Sequence, residues 1–215
     1  MSDSRVVPTS HGDARLVVDR SKRPIATLLL NHGAGAGVDS RDLGALAREL
    51  PRQGVTVVRL EQPWKVAGRR VAPRPEVLDE CLVQASNKIR PRTPLVVGGR
   101  SAGARAAART ARDLGASGCL ALSFPLHPPG RPEKSRLAEL ESVPLPTLVI
   151  QGENDPFGRP EELPSDRDLA VVPGADHSFK VPKRGEISQE DALDIIVEAA
   201  LEWIVREVVG NRTGG

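Results

Sequence analysis

The sequence predicts an α/β fold in which a mostly parallel β-sheet is covered by helices on both faces. Short apolar runs alternate along the chain with segments of helical pattern, which implies crossover connections and parallel strand pairing. The runs are continuously apolar rather than alternating, as is typical of strands buried on both sides. The predicted strands span residues 25–30, 55–60, 94–98, 118–123, 147–151 and 169–172.

Segments with a helical pattern follow most of these strands. The C-terminal segment has its apolar residues at helical spacing, and Ser188 followed by Asp191 forms a capping-box sequence at its start. We predict an early edge strand at residues 16–18, a Pro- and Arg-rich loop at residues 61–75 and a frayed end at residues 211–215. The predicted helices span residues 40–49, 76–90, 101–114 and 188–209.

Composition limits the chemistry that the chain can perform. Its 215 residues suffice for a buried core, and we expect one domain over residues 1–215. Three Phe, two Trp and no Tyr exclude catalysis by a phenol and argue against a base-stacking surface. The net charge of +2 is spread along the chain, so we expect no nucleic-acid partner. Two Cys, no signal-peptide pattern and no apolar run of membrane-spanning length favour a reduced, cytoplasmic protein without a membrane partner.

A Gly-x-Ser-x-Gly sequence follows the third predicted strand and leads directly into a predicted helix. Its residues are Gly99, Arg100, Ser101, Ala102 and Gly103. Strand, tight turn and helix are the setting of a nucleophile elbow, in which the glycines allow close packing and Ser101 is exposed. The N–H of Ala102 at the helix N-terminus would then stabilise a developing oxyanion. The alternative is an ordinary helix cap, because Ser is a common N-cap residue.

A glycine-rich loop follows the first predicted strand. It begins with Asn31, His32, Gly33, Ala34 and Gly35. Such a turn can direct a backbone N–H toward the serine, and Ala34 or its neighbour Gly35 is the predicted second oxyanion donor. A phosphate-binding loop is the competing interpretation, but the run lacks a Gly-Lys-Ser/Thr ending, and Val38 stands where a dinucleotide fingerprint needs Gly. We expect His32 to anchor the loop.

Two later loops supply an acid and a base. Asp155 follows the fifth predicted strand and is the predicted orienting acid, with Glu153 as its rival and an ordinary Asp-Pro turn as the alternative. His177 follows the sixth predicted strand, where a general base would have to stand before the final helix. Asp176 is the weaker partner for this histidine, because adjacent side chains usually point apart.

Ser101, Asp155 and His177 stand in the chain order found in α/β-hydrolases. His177 would take the proton of Ser101 as the hydroxyl attacks an acyl carbonyl, return it to the leaving group and then activate water. Asp155 would hold the imidazole tautomer and stabilise the imidazolium.

Several segments carry a family resemblance. They are residues 31–35, 68–70, 99–103, 122–130, 132–134, 151–152, 155–158 and 174–179. On these segments the chain resembles the α/β-hydrolase superfamily over nearly its whole length. It resembles more narrowly the small hydrolases related to the testis-expressed and NSL-complex subunit proteins. The resemblance implies a three-layer α/β-hydrolase fold with a minimal cap domain or none, and a serine-hydrolase-like site without a defined substrate. Some of these relatives serve in complexes rather than as proven enzymes.

Two loops are candidates for the substrate pocket, together with Gly33 and Gly35. Arg69 and Arg70 are hypothesised to bind an anionic substrate group at the pocket mouth. The alternative is a solvated loop or one tied down by Arg–carboxylate pairs. His127 lies in a loop that could roof the site, where it would contact substrate or make a structural hydrogen bond.

The first interpretation is therefore a hydrolase that cleaves a small ester, thioester or related acyl bond, with a small-molecule acyl substrate. It needs no metal and no cofactor, and short acyl chains are favoured because a capless pocket is shallow. A homodimer is an open alternative for its assembly. The second interpretation is a non-catalytic interaction or scaffold module on the same fold. A nucleotide-binding protein is the third, and it rests on the glycines of the 33–37 loop alone.

Overall fold

A computed structural model of the protein describes residues 2–210, so the predicted frayed end at residues 211–215 lies outside the described residues. In the described part, eight strands form one sheet in the order β1-β2-β4-β3-β5-β6-β7-β8. The strands are β1 Asp3–Thr9, β2 Gly12–Asp19, β3 Ala26–Asn31, β4 Val55–Glu61, β5 Leu95–Arg100, β6 Gly118–Leu122, β7 Thr147–Gly152 and β8 Asp168–Val172.

The sheet is mostly parallel, as the sequence predicts. Strands β3 to β8 pair in parallel, whereas β1 with β2 and β2 with β4 pair antiparallel. From β3 the chain passes first to β4 on one side and then to β5 on the other. Such a reversal of direction opens a crevice beyond the carboxyl ends of the central strands, where ligands bind in open α/β sheets.

Helices cover both faces of the sheet and complete the three-layer α/β fold. The helices are α1 Arg41–Glu49, α2 Pro63–Val66, α3 Pro75–Ser86, α4 Ala102–Thr110, α5 Leu137–Glu141 and α6 Gln189–Trp203. Leu28 and Leu30 of β3 belong to the core under α1 and α6, whereas Leu29 belongs to the core under α3, α4 and α5. The connection between β6 and β7 holds only a 3-10 turn and α5, so no cap domain is inserted there. Among the helices of residues 2–210, none combines the length and the apolar character needed to cross a bilayer.

The N-terminal hairpin corrects one prediction. The edge strand predicted at residues 16–18 was wrong in its place, because these residues belong to the longer β2, which lies second in the sheet. The edge is formed by β1, in which Val7 is the only buried residue. A strand with one buried side chain leaves no apolar run in the sequence, so the pattern that predicted the other strands could not detect it.

Other boundaries differ by a few residues. The predicted loop at 61–75 contains α2, which begins at Pro63, a residue suited to a first helical position. The helix predicted at 76–90 ends at Ser86, and the one predicted at 101–114 ends at Thr110. The C-terminal helix continues beyond Trp203 as a π-helix.

The capping box of α6 yields a stability prediction. Ser188 Oγ accepts a hydrogen bond from Asp191 N at 3.1 Å, and Asp191 Oδ2 accepts one from Ser188 N at 2.8 Å. Ser188→Ala should lower the free energy of unfolding by about 1 kcal/mol, measured by urea denaturation. Ser40→Ala is the matched control, because Ser40 stands at the N-cap of α1 without a capping hydrogen bond. Equal losses in the two variants would contradict the prediction.

Candidate active site

The turn at Ser101 has the geometry of a nucleophile elbow. Strand β5 ends at Arg100 and α4 begins at Ala102, which leaves Ser101 alone between them with φ +54° and ψ −115°. Its N–H donates to Leu122 O of β6 at 2.9 Å. A Cβ on Gly99 would lie 2.6 Å from Gly103 C, closer than a side-chain carbon can approach. The close packing predicted from the sequence is therefore real, and it excludes any larger residue at Gly99 without movement of α4.

A chain of hydrogen bonds joins the three residues that the sequence predicts as nucleophile, base and acid. Ser101 Oγ lies 2.9 Å from His177 Nε2, and His177 Nδ1 lies 2.8 Å from Asp155 Oδ2. The Asp155 carboxylate can only accept, so Nδ1 carries the imidazole proton and Nε2 is left to accept from the Ser101 hydroxyl. An arrangement of this kind can withdraw the serine proton as the oxygen attacks a carbonyl carbon.

Asp155 is held by two further donors. The carboxyl is fully buried. Gln151 Nε2 donates to Oδ2 at 2.9 Å, and the backbone N–H of Phe157 donates to Oδ1 at 2.8 Å. The ring of Phe157 also stacks on His177, with 4.2 Å between the ring centroids. The orientation of the acid and the base therefore depends on one strand end and the turn that follows it.

Gln151 is a site residue that sequence reasoning missed. Besides Asp155 it contacts Phe124, whose N–H donates to Gln151 Oε1 at 2.9 Å, and Gly158, whose carbonyl accepts from Nε2 at 2.8 Å. An unpaired amide in a buried strand is costly, so a Gln that ends an apolar run implies a partner nearby. The predicted strand at residues 147–151 ends in this glutamine, so the sequence contained the signal.

The rival acids have other partners. Glu153 Oε2 accepts a hydrogen bond from Gly174 N at 2.6 Å. Asp176 Oδ1 accepts from Ser178 N at 2.7 Å and from Lys180 N at 3.0 Å, within its own turn. Of the acids weighed from the sequence, Asp155 is therefore the one bonded to the imidazole.

The glycine-rich loop lies beside the elbow. A Cβ on Gly33 would lie 3.4 Å from Ser101 Cβ, whereas a Cβ on Gly35 would meet nothing within 4 Å. Ala34, between them, donates its N–H to no partner among residues 2–210. The N–H of Ala102 opens α4 and has no partner within the helix. Gly33 therefore lies beside Ser101, and the N–H groups of its neighbour Ala34 and of Ala102 are both available as donors.

His32 anchors this loop in the manner expected from the sequence. Its Nδ1 lies 2.8 Å from Gly33 O, and its Nε2 accepts from Gln62 N at 3.1 Å. These partners fix the neutral tautomer with the proton on Nδ1. Burial lowers the pKa of His32 below its ordinary value of 6.5, which keeps the ring neutral.

The residues proposed for substrate contact are dispersed. Arg69 and Arg70 are both exposed, and of the two only Arg69 lines a cavity of about 570 Å³, to which Gln62 and Trp64 also contribute. His127 Nε2 lies 2.9 Å from Glu162 Oε2 and Nδ1 lies 3.0 Å from Pro128 O, so it has the structural hydrogen bonds that the sequence left as an alternative. The Pro128 carbonyl and the Glu162 carboxylate raise the pKa of His127.

Within residues 2–210, no three His, Cys, Asp or Glu side chains converge as metal ligands.

The buried His32 yields a pH prediction. Because its pKa is lower in the folded protein than in the unfolded chain, the unfolded state takes up the proton first, and stability is lost as the pH falls below 6.5. The melting temperature of the wild type should therefore fall more steeply than that of His32→Asn between pH about 7 and about 5. The exposed His11→Asn is the control for loss of an imidazole. Equal slopes for the wild type and His32→Asn would refute the assignment of a buried neutral ring.

Solved structures share this fold. A serine hydrolase without a lid from Xanthomonas campestris superposes with a TM-score of 0.74 at 21% identity, with 94% of each chain covered. A dienelactone hydrolase from Anabaena variabilis gives 0.73 at 19% identity, covering 96% of this chain and 98% of that one. Est1E from Butyrivibrio proteoclasticus gives 0.69 at 14% identity, covering 94% and 99%. No curated protein matches the sequence significantly.

A family model described as an alpha/beta hydrolase domain matches residues 24–205. The matched span runs from just before β3 to just beyond α6, and it includes Ser101, Asp155 and His177. The chain therefore belongs to the α/β-hydrolase family.

Proposed function

We propose that the protein is a serine hydrolase that cleaves a small ester, thioester or related acyl bond. The observation that carries this proposal is the unbroken hydrogen-bond chain from Ser101 through His177 to Asp155. Ser101 is the nucleophile, His177 the general base and Asp155 the residue that orients it. Membership of the α/β-hydrolase family supports the reaction class.

The reaction proceeds in two halves. His177 Nε2 takes the proton from Ser101 Oγ as that oxygen bonds to the acyl carbon, and the carbonyl oxygen becomes an oxyanion. The N–H groups of Ala102 and Ala34 stabilise that charge, with Gly35 as the alternative to Ala34. The imidazolium then protonates the leaving group as the acyl bond breaks. A water molecule then gives a proton to His177 Nε2 as its oxygen attacks the acyl carbon, and the imidazolium returns that proton to Ser101 Oγ as the acyl–serine bond breaks, which releases the acid and restores the hydroxyl and the neutral imidazole.

The exposed site supports a preference for small substrates. Between β6 and β7 the chain inserts no cap domain, and a Cβ on Gly35 would meet nothing within 4 Å, so residues 2–210 provide no cap that could enclose a long acyl chain. From the Phe-Pro-Leu-His-Pro-Pro-Gly segment at residues 124–130 we also infer membership of the narrower group related to the testis-expressed and NSL-complex subunit proteins. A cytoplasmic location accords with free, buried Cys81 and Cys119.

A second part of the proposal concerns the cavity at the end of β4. Its wall is apolar at Pro63, Trp64 and Val77 and charged at Arg69, with Asp13 and His11 also contributing. Strand β3 separates β4 from β5, so the cavity lies at least two strand spacings, about 10 Å, from Ser101 along the sheet edge. We propose that Arg69, which lines the cavity, rather than Arg70, which does not, binds an anionic group on the far end of the substrate.

Replacement of the proposed nucleophile is the first test. A fluorophosphonate probe should label the wild type and not Ser101→Ala, and turnover of p-nitrophenyl acetate should fall by about three orders of magnitude or more. Ser123→Ala is the matched control, because Ser123 directly follows the neighbouring strand β6, has φ +45° and is buried without a hydroxyl partner. Absence of Ser101-dependent labelling together with absence of turnover would overturn the hydrolase and favour a non-catalytic interaction module.

The role of Arg69 is tested with two esters of similar size. For p-nitrophenyl hemiadipate, whose carboxylate ends a six-carbon acyl chain that can approach the cavity, KM should rise about three- to tenfold in Arg69→Gln, because a charged hydrogen bond is lost. For the neutral p-nitrophenyl hexanoate, KM should not change. Arg70→Gln provides the control and should leave both substrates unaffected. Equal effects of the two substitutions, or an equal effect of Arg69→Gln on both esters, would contradict the proposal.

A further inference from the structure

Arg100, the residue directly before the elbow serine, is buried beneath the site. It is 6% exposed, and its Nε lies 3.3 Å from Oδ2 of Asp42, which is 2% exposed in the first turn of α1. A buried guanidinium is costly unless a charge and polar groups compensate it. Neither Nε nor Oδ2 makes a well-directed hydrogen bond, so these two atoms attract each other chiefly through charge.

The same guanidinium reaches the segments that carry the base and the oxyanion loop. Its Nη2 donates to the backbone carbonyl of His177 at 2.7 Å. Its Nη1 lies 3.5 Å from the place that a Cβ on Gly33 would occupy. One planar side chain thus touches α1, the glycine-rich loop and the His177 loop. A lysine, with a single ammonium group, cannot hold these directions at once.

We infer that Arg100 is a positioning residue, which fixes the His177 loop against the elbow while Asp42 neutralises its charge. This inference rests on the proposed function. The charged groups that face His177 are Asp155 at Nδ1 and Arg100 at the main-chain carbonyl, with Asp42 behind Arg100. Phe157 covers the ring with an apolar face, and Asp176 is engaged with its own turn.

Two roles follow, and they can be separated. The contact with the His177 carbonyl positions the imidazole, whereas the neutrality of the Arg100–Asp42 pair sets the electric field around it. Asp42→Asn keeps the contact and leaves a net positive charge. Arg100→Met combined with Asp42→Asn removes the contact and leaves no net charge.

The experiment measures kcat/KM against pH for p-nitrophenyl acetate. In Asp42→Asn the acid limb of the profile should move to lower pH by about half to one unit, because the unbalanced cation disfavours an imidazolium. In Arg100→Met/Asp42→Asn the limb should stay in place while the plateau falls about 10- to 100-fold, because the base is misplaced. Arg100→Lys should show the same low plateau with an unmoved limb.

The matched control is Arg59→Met/Asp19→Asn. Arg59 is 7% exposed and lies on β4, where it pairs with Asp19 at 3.1 Å and donates to Val38 O at 2.9 Å. It is a buried strand arginine without contact to His177. Its loss should therefore lower the melting temperature and leave both the acid limb and the plateau of the kcat/KM profile unchanged. The positioning role would be overturned if the plateau of kcat/KM fell as far in Arg59→Met/Asp19→Asn as in Arg100→Met/Asp42→Asn. It would also be overturned if Arg100→Met/Asp42→Asn kept the wild-type plateau.

A second readout does not require turnover. In ¹⁵N-histidine NMR spectra, with His177 assigned through His177→Asn, the Nδ1–H resonance reports the bond to Asp155. This resonance should persist in Asp42→Asn and in the Arg59 control, and should broaden or shift upfield in Arg100→Met/Asp42→Asn. An inactive wild type would contradict the proposed function alone, whereas an unchanged resonance in the Arg100 double variant would contradict the positioning role alone.

Discussion

The geometry of the site depends on how closely the start of α4 approaches the end of β3. A Cβ on Gly99 would lie 2.5 Å from Asn31 O, and one on Gly103 would lie 2.6 Å from Asn31 C. Without side chains at these two positions, the chain can pass from strand to helix across a single residue. Ser101 occupies that position with a positive φ, which costs free energy, and the paired strands on either side hold it there. The hydroxyl and the first helical N–H groups therefore project from the same edge of the sheet.

Around this elbow the polar groups constrain one another. Asp155 Oδ2 accepts from both His177 and Gln151, and Oδ1 accepts from the backbone of Phe157, so the carboxyl cannot rotate without losing a partner. Hydrogen bonds in a buried, weakly polar environment are stronger than in water, and an unmade one is costlier. Rotation of the carboxyl would also release the imidazole. The orientation of the base thus depends in part on Gln151, a fully buried residue that bonds to the acid and not to the base.

The extent to which the site could be predicted depends on how local each signal is. The six strands β3 to β8, the elbow and the order of Ser101, Asp155 and His177 follow from short contiguous patterns, and the structure has them where the sequence predicts them. The edge strand β1, with one buried side chain, has no such pattern. Partner choice is not local: Gln151 bonds to the backbone 27 residues earlier, and Arg100 to a carbonyl 77 residues later. Pairings across such separations follow from the packed fold rather than from any local pattern.

The side chain of His32 links the loop that follows β3 to the segment that follows β4. Its ring joins the carbonyl of Gly33, beside the serine, to the N–H of Gln62, which lines the cavity at the end of β4. Only a neutral ring can make both bonds, because a protonated Nε2 cannot accept from Gln62, and burial maintains that neutral form by lowering the pKa of His32. The ring therefore holds the start of the glycine-rich loop to the backbone that follows β4, and protonation of His32 would break the bond to Gln62.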